Sequence, residues 1–366
     1  MRRGRRLEYL GYVAISLAMW GVPLLNRLHV ESSAVLAAGA FFLAGVSAIS
    51  ALSVRGDPAG PLSGVRVRRA VSGSLAVLLV PLVLMLVPML WAPNCGWRAG
   101  VGFFALFVPP SAVLGVAVAA VLTRAGFRRP LRWLVATGLG LILVGVVYDL
   151  GFHPQFYTYN HVFGGVLGPI YDEQLTVRPG LFVFRVLTLA WAFAGLAWAT
   201  GRGRLAGGLL ILVCAVYAFS GRLGINTTYA DLERALPASF AKGPIRLHFD
   251  PSRTDTTEAR QMLGLAAFEY ARISELLETS VDEPVEVYVY PDSWTRAELT
   301  GARQTSVAPV WLARPQVHVE SSSFEAIFPH ELVHAVSREF GLPVIRASPA
   351  VGLVEGLAVA LEPPDG

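Results

Sequence analysis

Charged residues are scarce in this chain of 366 residues, where they make up 15% of the sequence. An ordinary soluble domain has roughly a quarter. Hydrophobic residues reach 54% and the mean hydropathy is +0.53, so a purely soluble protein is excluded. Only two cysteines are present, Cys95 and Cys214, and they have neither zinc-finger spacing nor the number that a disulfide framework requires. The composition therefore predicts a membrane protein whose fold does not depend on disulfides.

The sign of the charge changes along the chain. Up to Arg222 there are 19 basic and 6 acidic residues, whereas the remainder has 11 basic and 20 acidic residues. The basic residues of the first part form short clusters between apolar runs, which is typical of cytoplasmic loops and not of a nucleic-acid-binding surface. We therefore predict a transmembrane domain over residues 1–222, a second domain over 223–366 and no nucleic-acid partner.

Seven stretches in the first domain are long and apolar enough to cross a bilayer, which requires about 20 residues. They lie near residues 9–26, 33–54, 71–92, 100–122, 133–150, 181–200 and 205–221. The first follows an arginine cluster, as a signal peptide would, but it is long and has no small-residue cleavage site. We therefore interpret it as a membrane anchor.

Arginines alternate between the two sides of these stretches. Fourteen lie before the first stretch and after the second, fourth and sixth, whereas the opposite loops contain three, Arg27, Arg98 and Arg178. Because cytoplasmic loops are enriched in basic residues, the N-terminus is expected in the cytoplasm. Seven spans then place everything after Arg222 on the outer side of the cell membrane.

Ionisable residues within the spans are few. Arg185 and Asp149 lie close to the expected outer interface, where both could extend to water. An ion or proton pathway requires charges near the midplane, so no transport role is predicted. The pair Pro109 and Pro110 is expected to kink the fourth span, which membrane helices tolerate.

One long connection, residues 151–180, has two interpretations. Its histidines and carboxylates could hold a metal ion, and its tyrosines could form an aromatic layer at the membrane interface that packs against the outer domain. The possible ligands are His153, His161, Asp172 and Glu173. The tyrosines are Tyr157, Tyr159 and Tyr171.

The second domain has the pattern of a mixed α/β fold. Alternating or β-rich runs predict strands at 245–249, 286–290 and 316–320, the last polar enough for a sheet edge. Apolar residues at intervals of three and four predict a long helix over 256–277, and a short helix is expected over 291–299.

Two further helices are expected near the end of the sequence. Ser322 and Glu325 have the spacing of a capping box, which predicts a helix that begins there and ends at Gly341. A last helix is expected over residues 349–361.

The first of these two helices contains the sequence His330-Glu331-Leu332-Val333-His334. Residues i and i+4 share one helix face, so the two imidazoles can bind one cation, and Glu331 can reach a water on it. This is the H-E-x-x-H zinc arrangement. Polar residues flank it within the helix, which favours a site exposed to water over one inside a membrane span.

The segment Glu355-Gly356-Leu357-Ala358 follows 21 residues after His334. Together with HELVH it resembles the gluzincin branch of zinc metallopeptidases, the peptidase MA-like domains, over about 120 residues from Pro244 onward. The resemblance implies an α+β zincin-like domain in which His330, His334 and Glu355 bind Zn²⁺ and Glu331 is the catalytic base. The expected fold is thus a polytopic α-helical membrane domain of about seven spans followed by this domain.

The sequence also departs from that family. The G-x-M-E-N element that binds a substrate's free amino terminus is missing, so the resemblance favours an endopeptidase. Val359 replaces a carboxylate that would orient a zinc-bound histidine, for which Glu362 is a candidate. The resemblance implies a further helical subdomain with an oxyanion-stabilising Tyr or His, so the domain is expected to be C-terminally incomplete or reduced.

Two functions are compatible with these features. The first is a membrane-anchored zinc metallopeptidase that hydrolyses peptide bonds of extracytoplasmic or membrane-tethered proteins. The second is a non-catalytic membrane scaffold or transporter-associated subunit with a degenerate peptidase-like binding domain. Intact ligands favour the enzyme, whereas the missing oxyanion donor favours the scaffold.

Overall fold

The structure is a computed structural model that describes residues 2–53, 60–91, 96–169, 177–311 and 314–363. The chain divides into two compact units. Unit 1 comprises Met1–Val146, Thr158–Val166 and Arg178–Asn226. Unit 2 comprises Val147–Tyr157, Leu167–Val177 and Thr227–Gly366. This division differs from a single boundary after residue 222, because parts of the 151–180 connection pack with unit 2.

Unit 1 is built from helices. They are α1 (Arg2–Trp20), α2 (Val30–Leu52), α3 (Gly64–Val77), α4 (Leu79–Leu86), α5 (Trp97–Arg124), α6 (Pro130–Phe152), α7 (Pro179–Ala199) and α8 (Gly203–Ala218). The last residues of α6 belong to unit 2. A small antiparallel hairpin, β1 (Thr158–Asn160) with β2 (Gly164–Val166), lies in the connection between α6 and α7.

Five apolar stretches of the described chain are long enough to cross a membrane. They are Val30–Leu52, Gly64–Leu90, Trp97–Arg124, Pro130–Phe152 and Pro179–Ala199. Each coincides with one of the seven spans expected from the sequence. The chain therefore has the helices of a membrane protein.

The first and last expected spans stay predictions. Helix α1 ends at Trp20, so it covers the expected stretch only over residues 9–20, and its beginning is rich in arginine. Helix α8 has 16 residues, which at 1.5 Å per residue is shorter than the roughly 30 Å hydrocarbon core.

The expectation that Arg185 extends to water is wrong. This side chain is only 2% exposed and lies within unit 1. Its Nε donates to the carbonyl of Leu106 at 3.0 Å, and its Nη2 donates to the carbonyl of Phe107 at 2.7 Å. Pro110 has no N–H with which to satisfy the Leu106 carbonyl, so the arginine replaces a helix hydrogen bond that the proline pair removes. Asp149 is also buried rather than exposed.

Unit 2 contains a four-stranded mixed sheet in the order β3, β4, β5, β6. The strands are β3 (Ala238–Lys242), β4 (Ile245–Phe249), β5 (Val285–Tyr290) and β6 (Gln316–Glu320). The first two form a hairpin that turns at Gly243, whose φ of +56° suits glycine. The other pairs are parallel, which places the carboxyl ends of β4, β5 and β6 at one edge. All three expected strands are confirmed.

Helices cover this sheet and give unit 2 its core. They are α9 (Tyr229–Ala235), α10 (Thr256–Leu276), α11 (Ser293–Thr300), α12 (Phe324–Ser337) and α13 (Val351–Ala360). Helix α10 connects β4 to β5, and its Ala259, Ala266 and Ile273 are fully buried in the apolar cluster beneath the sheet. Strand β3 and helix α9 were not expected from the sequence.

The start of α12 differs from the capping-box prediction. Ser322 Oγ donates to Glu320 Oε1 at 2.9 Å and lies in a 3₁₀ turn over Ser321–Ser323. The helix begins at Phe324, and its N-cap residue Ser323 makes no side-chain cap. The helix was expected to end at Gly341. It ends at Ser337, and a second 3₁₀ turn over Arg338–Phe340 follows it.

Candidate metal centre

Helix α12 places two histidines side by side. Its buried face, with Leu332, Val333 and Val336, packs into the core, so His330 and His334 lie together on a partly exposed face. Their Nε2 atoms are 3.2 Å apart. Two imidazole nitrogens at this distance can both bind one cation.

Glu355 on helix α13 completes the group. Its Oε2 lies 3.4 Å from His330 Nε2 and 3.6 Å from His334 Nε2. Among the residues that the structure describes, these three form the one cluster of this kind, with all ligand atoms within 4.8 Å of one another. The sequence places the carboxylate 21 residues from the second histidine, and the fold brings it within bonding reach of both rings.

The orientation of His330 is fixed by Glu362, which follows α13. The ring's Nδ1 lies 2.7 Å from Glu362 Oε1, so Nδ1–H donates to that carboxylate. The Nε2 lone pair is then free to face His334 and Glu355. A carboxylate behind a histidine fixes the tautomer and makes the ring a stronger ligand. Glu362, the candidate from the sequence, therefore lies within hydrogen-bond distance of His330.

Glu331 points into the core side of the same cavity and is only 9% exposed. Burial raises the pKa of its carboxyl to about 7, an effect that His330 opposes and Glu355 reinforces. The backbone N–H of Ala308 donates to this carboxylate and favours its charged form. A carboxyl with a pKa near 7 can both accept and release a proton at neutral pH.

The segment that carries Ala308 is held by a buried arginine. Arg296 of α11 donates from Nη2 to the carbonyl of Arg303 at 2.6 Å and from Nη1 to Ser306 Oγ at 3.2 Å. The next residue, Val307, forms an antiparallel bridge with His318 of β6. Arg296 therefore positions the strand-like segment that supplies the hydrogen bond to Glu331.

A cavity of about 900 Å³ opens onto this group. Beside the metal-binding candidates and Glu331, it is lined by Thr305 to Ala308, by Val310 and Trp311, and by part of the 337–354 region. Leu150 and Phe156, which belong to the same unit, line it as well. The cavity is large enough for several residues of an extended peptide.

The histidines of the 151–180 connection do not join a metal cluster in the described chain. His153 Nδ1 lies 3.1 Å from the carbonyl of Tyr148, in unit 2. His161 lies in unit 1, between Thr188 Oγ1 at 2.8 Å and Tyr217 OH at 2.7 Å. Tyr171, Asp172 and Glu173 lie outside the described residues.

The aromatic layer at the membrane interface stays a prediction, and the described tyrosines of that connection belong to different units. Tyr157 is buried within unit 2, and its OH is 3.2 Å from Thr227 Oγ1. Neighbouring Phe156 packs its ring 5.2 Å from that of His318. Tyr159 belongs to unit 1 instead.

Sequence reasoning missed Ala308 and Arg296. A backbone N–H has no sequence signal, so Ala308 could not have been found. Arg296 had no clear signal either, because the short helix α11 (Ser293–Thr300) is mainly polar.

Comparisons of the chain with protein-family models, with curated proteins and with solved structures find no match. The likeness to gluzincins therefore rests on the motif residues of the sequence.

Proposed function

We propose that this protein is a membrane-anchored zinc metallopeptidase of the gluzincin type. The observation that carries the proposal is the triangle of His330 Nε2, His334 Nε2 and Glu355 Oε2, with sides of 3.2, 3.4 and 3.6 Å. Zinc binds nitrogen and oxygen at about 2.0 to 2.2 Å in tetrahedral geometry, so its ligand atoms lie about 3.3 to 3.5 Å apart. The three residues thus fit three corners of such a site.

When bound, zinc would polarise a peptide carbonyl and lower the pKa of a water molecule towards 7. Glu331 would accept the proton of the attacking water and donate it to the leaving amine. Its burial and its Ala308 hydrogen bond support this role, because they hold the carboxyl in one place beside the ligands. Glu362 would keep His330 in the binding tautomer.

The substrates that we propose are extracytoplasmic or membrane-tethered proteins, cut internally. Fourteen arginines against three support an outer location for the residues after Arg222. Reporter fusions after Gly224 test this location. A reporter that is active only in the cytoplasm should be silent there, and its activity would overturn the topology.

The scaffold remains the alternative, and one observation favours it. Apart from the two ligands, the described residues that line the cavity include no histidine and no tyrosine to stabilise an oxyanion. Arg338 and Arg346 line the cavity and could offer positive charge in their place. A binding domain would retain the cavity without cleaving what enters it.

The deciding experiment combines metal analysis with proteolysis of an unstructured protein by the purified full chain. We expect about one zinc per chain, lost in His330→Ala and retained in the control His153→Ala. Glu331→Gln should retain zinc and lose about 10²- to 10⁴-fold in rate. Zinc retained in the double variant His330→Ala, His334→Ala would refute the site. Zinc-loaded protein that cleaves no member of a broad extracytoplasmic peptide library would refute the enzyme and favour the scaffold.

A further inference from the structure

A short closed loop follows α12 and exposes apolar side chains at its tip. The loop is closed by two backbone hydrogen bonds, from Leu342 N–H to the Ala347 carbonyl at 3.0 Å and from Arg346 N–H to the Leu342 carbonyl at 2.7 Å. At its tip Val344 is 96% exposed and Ile345 is 55% exposed. Val344 also has a φ of +75°, which is costly for a β-branched residue. Nothing else in the described chain covers this tip.

The exposed apolar surface extends beyond the tip. We use the name apolar loop for residues 340–353, which run from the end of the 3₁₀ turn into the first turn of α13. Its exposed apolar side chains are Phe340, Leu342, Val344, Ile345, Val351 and Leu353. Single exposed apolar residues are common, but six within 14 consecutive residues favour a surface that contacts a partner or a membrane.

The apolar loop forms one wall of the cavity at the candidate metal centre. Arg346, Ala347, Ser348 and Val351 line that cavity. These lining residues and the exposed tip belong to one tight loop. A partner that binds the tip would therefore also hold this wall of the cavity in position.

Another part of the cavity's lining comes from the end of an expected membrane span. Leu150 lies in α6, which qualifies as a span over Pro130–Phe152. Trp311, also in the lining, donates from Nε1 to the Leu150 carbonyl at 2.8 Å. Tyr148 and Phe152 are 49% and 69% exposed beside it, and exposed aromatic side chains at the end of a span are typical of the lipid–water interface. The cavity is therefore lined in part by the end of a helix that is long and apolar enough to cross a membrane.

We propose that the apolar loop inserts its tip into the lipid interface of the membrane that α6 crosses. The occupant of this surface is the phospholipid bilayer. The only basic residue of the loop, Arg346, is paired with Glu339, so the contact depends on apolar burial and not on anionic lipid. The inference does not require the metal or the peptidase activity. If the proposed function is also correct, the cavity opens at the membrane surface and takes peptide bonds close to a membrane anchor.

A fluorescence experiment in lipid nanodiscs tests the insertion. In the full chain, with both native cysteines replaced by alanine, a single Ile345→Cys is labelled with an environment-sensitive fluorophore. Uncharged phosphatidylcholine nanodiscs are prepared with and without a fraction of lipid that carries a nitroxide quencher on its acyl chain. The matched control is Lys242→Cys, an exposed position in the same unit at the opposite edge of the sheet.

We expect a blue-shifted emission at position 345 and loss of most of it with quencher lipid, while the label at position 242 keeps its emission. Emission that is blue-shifted at 345 but insensitive to quencher lipid would show that protein, such as a second copy of the chain, covers the loop, and would overturn the proposal. Emission typical of water at 345 would overturn it as well. Because Glu331→Gln should give the same quenching, failure of the peptidase proposal and failure of this one are distinguishable.

Discussion

Replacement of Glu331 by glutamine is expected to stabilise unit 2 when the metal is removed. The native carboxyl has a pKa of about 7 because it is buried, whereas an unfolded chain has the ordinary value of 4.5. Between these two pH values the unfolded state releases its proton and the native state retains it. The free energy of unfolding therefore decreases as pH rises from about 4.5 to about 7, and it stays lower above that.

The size of the effect follows from the two pKa values. One pH unit corresponds to about 1.4 kcal/mol, so a difference from 4.5 to about 7 destabilises the metal-free protein by about 3 kcal/mol at pH 8. Glutamine has no charge to bury, and its amide oxygen can still accept the Ala308 N–H. The Glu331→Gln variant should recover most of the 3 kcal/mol at pH 8 and almost none at pH 4.5.

Hydrogen exchange of the α12 amides measures this locally, without the assumption that both units unfold together. At pH 8 and with chelator present, α12 should exchange about 100-fold more slowly in the variant than in the unmutated protein, since each 1.4 kcal/mol is tenfold. Saturation with zinc should reduce the difference, because a nearby cation favours the carboxylate. The control Glu325→Gln changes an exposed carboxylate of the same helix and should have little effect.

Equal exchange of the Glu331→Gln variant and the unmutated protein at pH 8 would refute the reasoning. It would mean that Glu331 is ionised in the metal-free fold without loss of stability. Its burial beside the ligands would then not support a role as a general base. A stabilisation of the same size at pH 4.5 would also refute it, since the cause would then be packing and not charge.

Three further predictions concern other parts of the molecule. Glu362→Gln should weaken zinc affinity about 10- to 100-fold while excess zinc restores proteolysis, because the residue acts through His330; an unchanged zinc dissociation constant would contradict this. Arg185→Met should destabilise unit 1 by about 2 to 5 kcal/mol, since it leaves buried carbonyls unpaired. Adding Pro110→Ala returns an N–H that can bond to the Leu106 carbonyl, so the double variant should recover part of the lost stability in thermal unfolding. No recovery would contradict the view that Arg185 replaces this helix hydrogen bond. Val344→Asn should stabilise unit 2 by about 1 kcal/mol in detergent, because asparagine tolerates positive φ; a lower unfolding temperature would contradict the strain.

The strands and the metal-binding candidates could be predicted because they depend on local pattern. Alternation of apolar residues identified Ile245–Phe249, and the spacing of two histidines on one helix face does not depend on the rest of the fold. Strand β6 is the last strand of the sheet, as predicted. The reason given for this position, the polarity of the strand, was wrong. Its polar side chains are buried: His318 Nδ1 lies 2.9 Å from Tyr290 OH, and its Nε2 lies 3.0 Å from Gln316 Oε1.

Two features could not be predicted, for different reasons. The capping box at Ser322 is a valid local pattern, but the residue bonds instead to Glu320, two residues earlier at the end of β6. The burial of Arg185 depends on distant partners, since its acceptors Phe107 and Leu106 on α5 lie 78 and 79 residues away. Only for Arg185 does a long-range contact decide the outcome.

The buried position of Arg185 has a consequence for the order in which the membrane helices assemble. Presented alone to lipid, an arginine inside a span costs roughly 2.5 to 3.5 kcal/mol of insertion free energy. Here three of the five acceptors of this side chain, on Leu106, Phe107 and Ser111, belong to α5, which is synthesised earlier than α7. The other two are on Asn160 and Thr188. We therefore expect α7 to integrate into the membrane poorly in a truncated chain that begins at α6, and to integrate well in Arg185→Leu of the same truncation. Glycosylation sites placed after α7 report integration, and equal efficiency in the two truncated chains would contradict this view. We therefore expect the integration of α7 to depend on the earlier helix, so that α5 has to be in the membrane first.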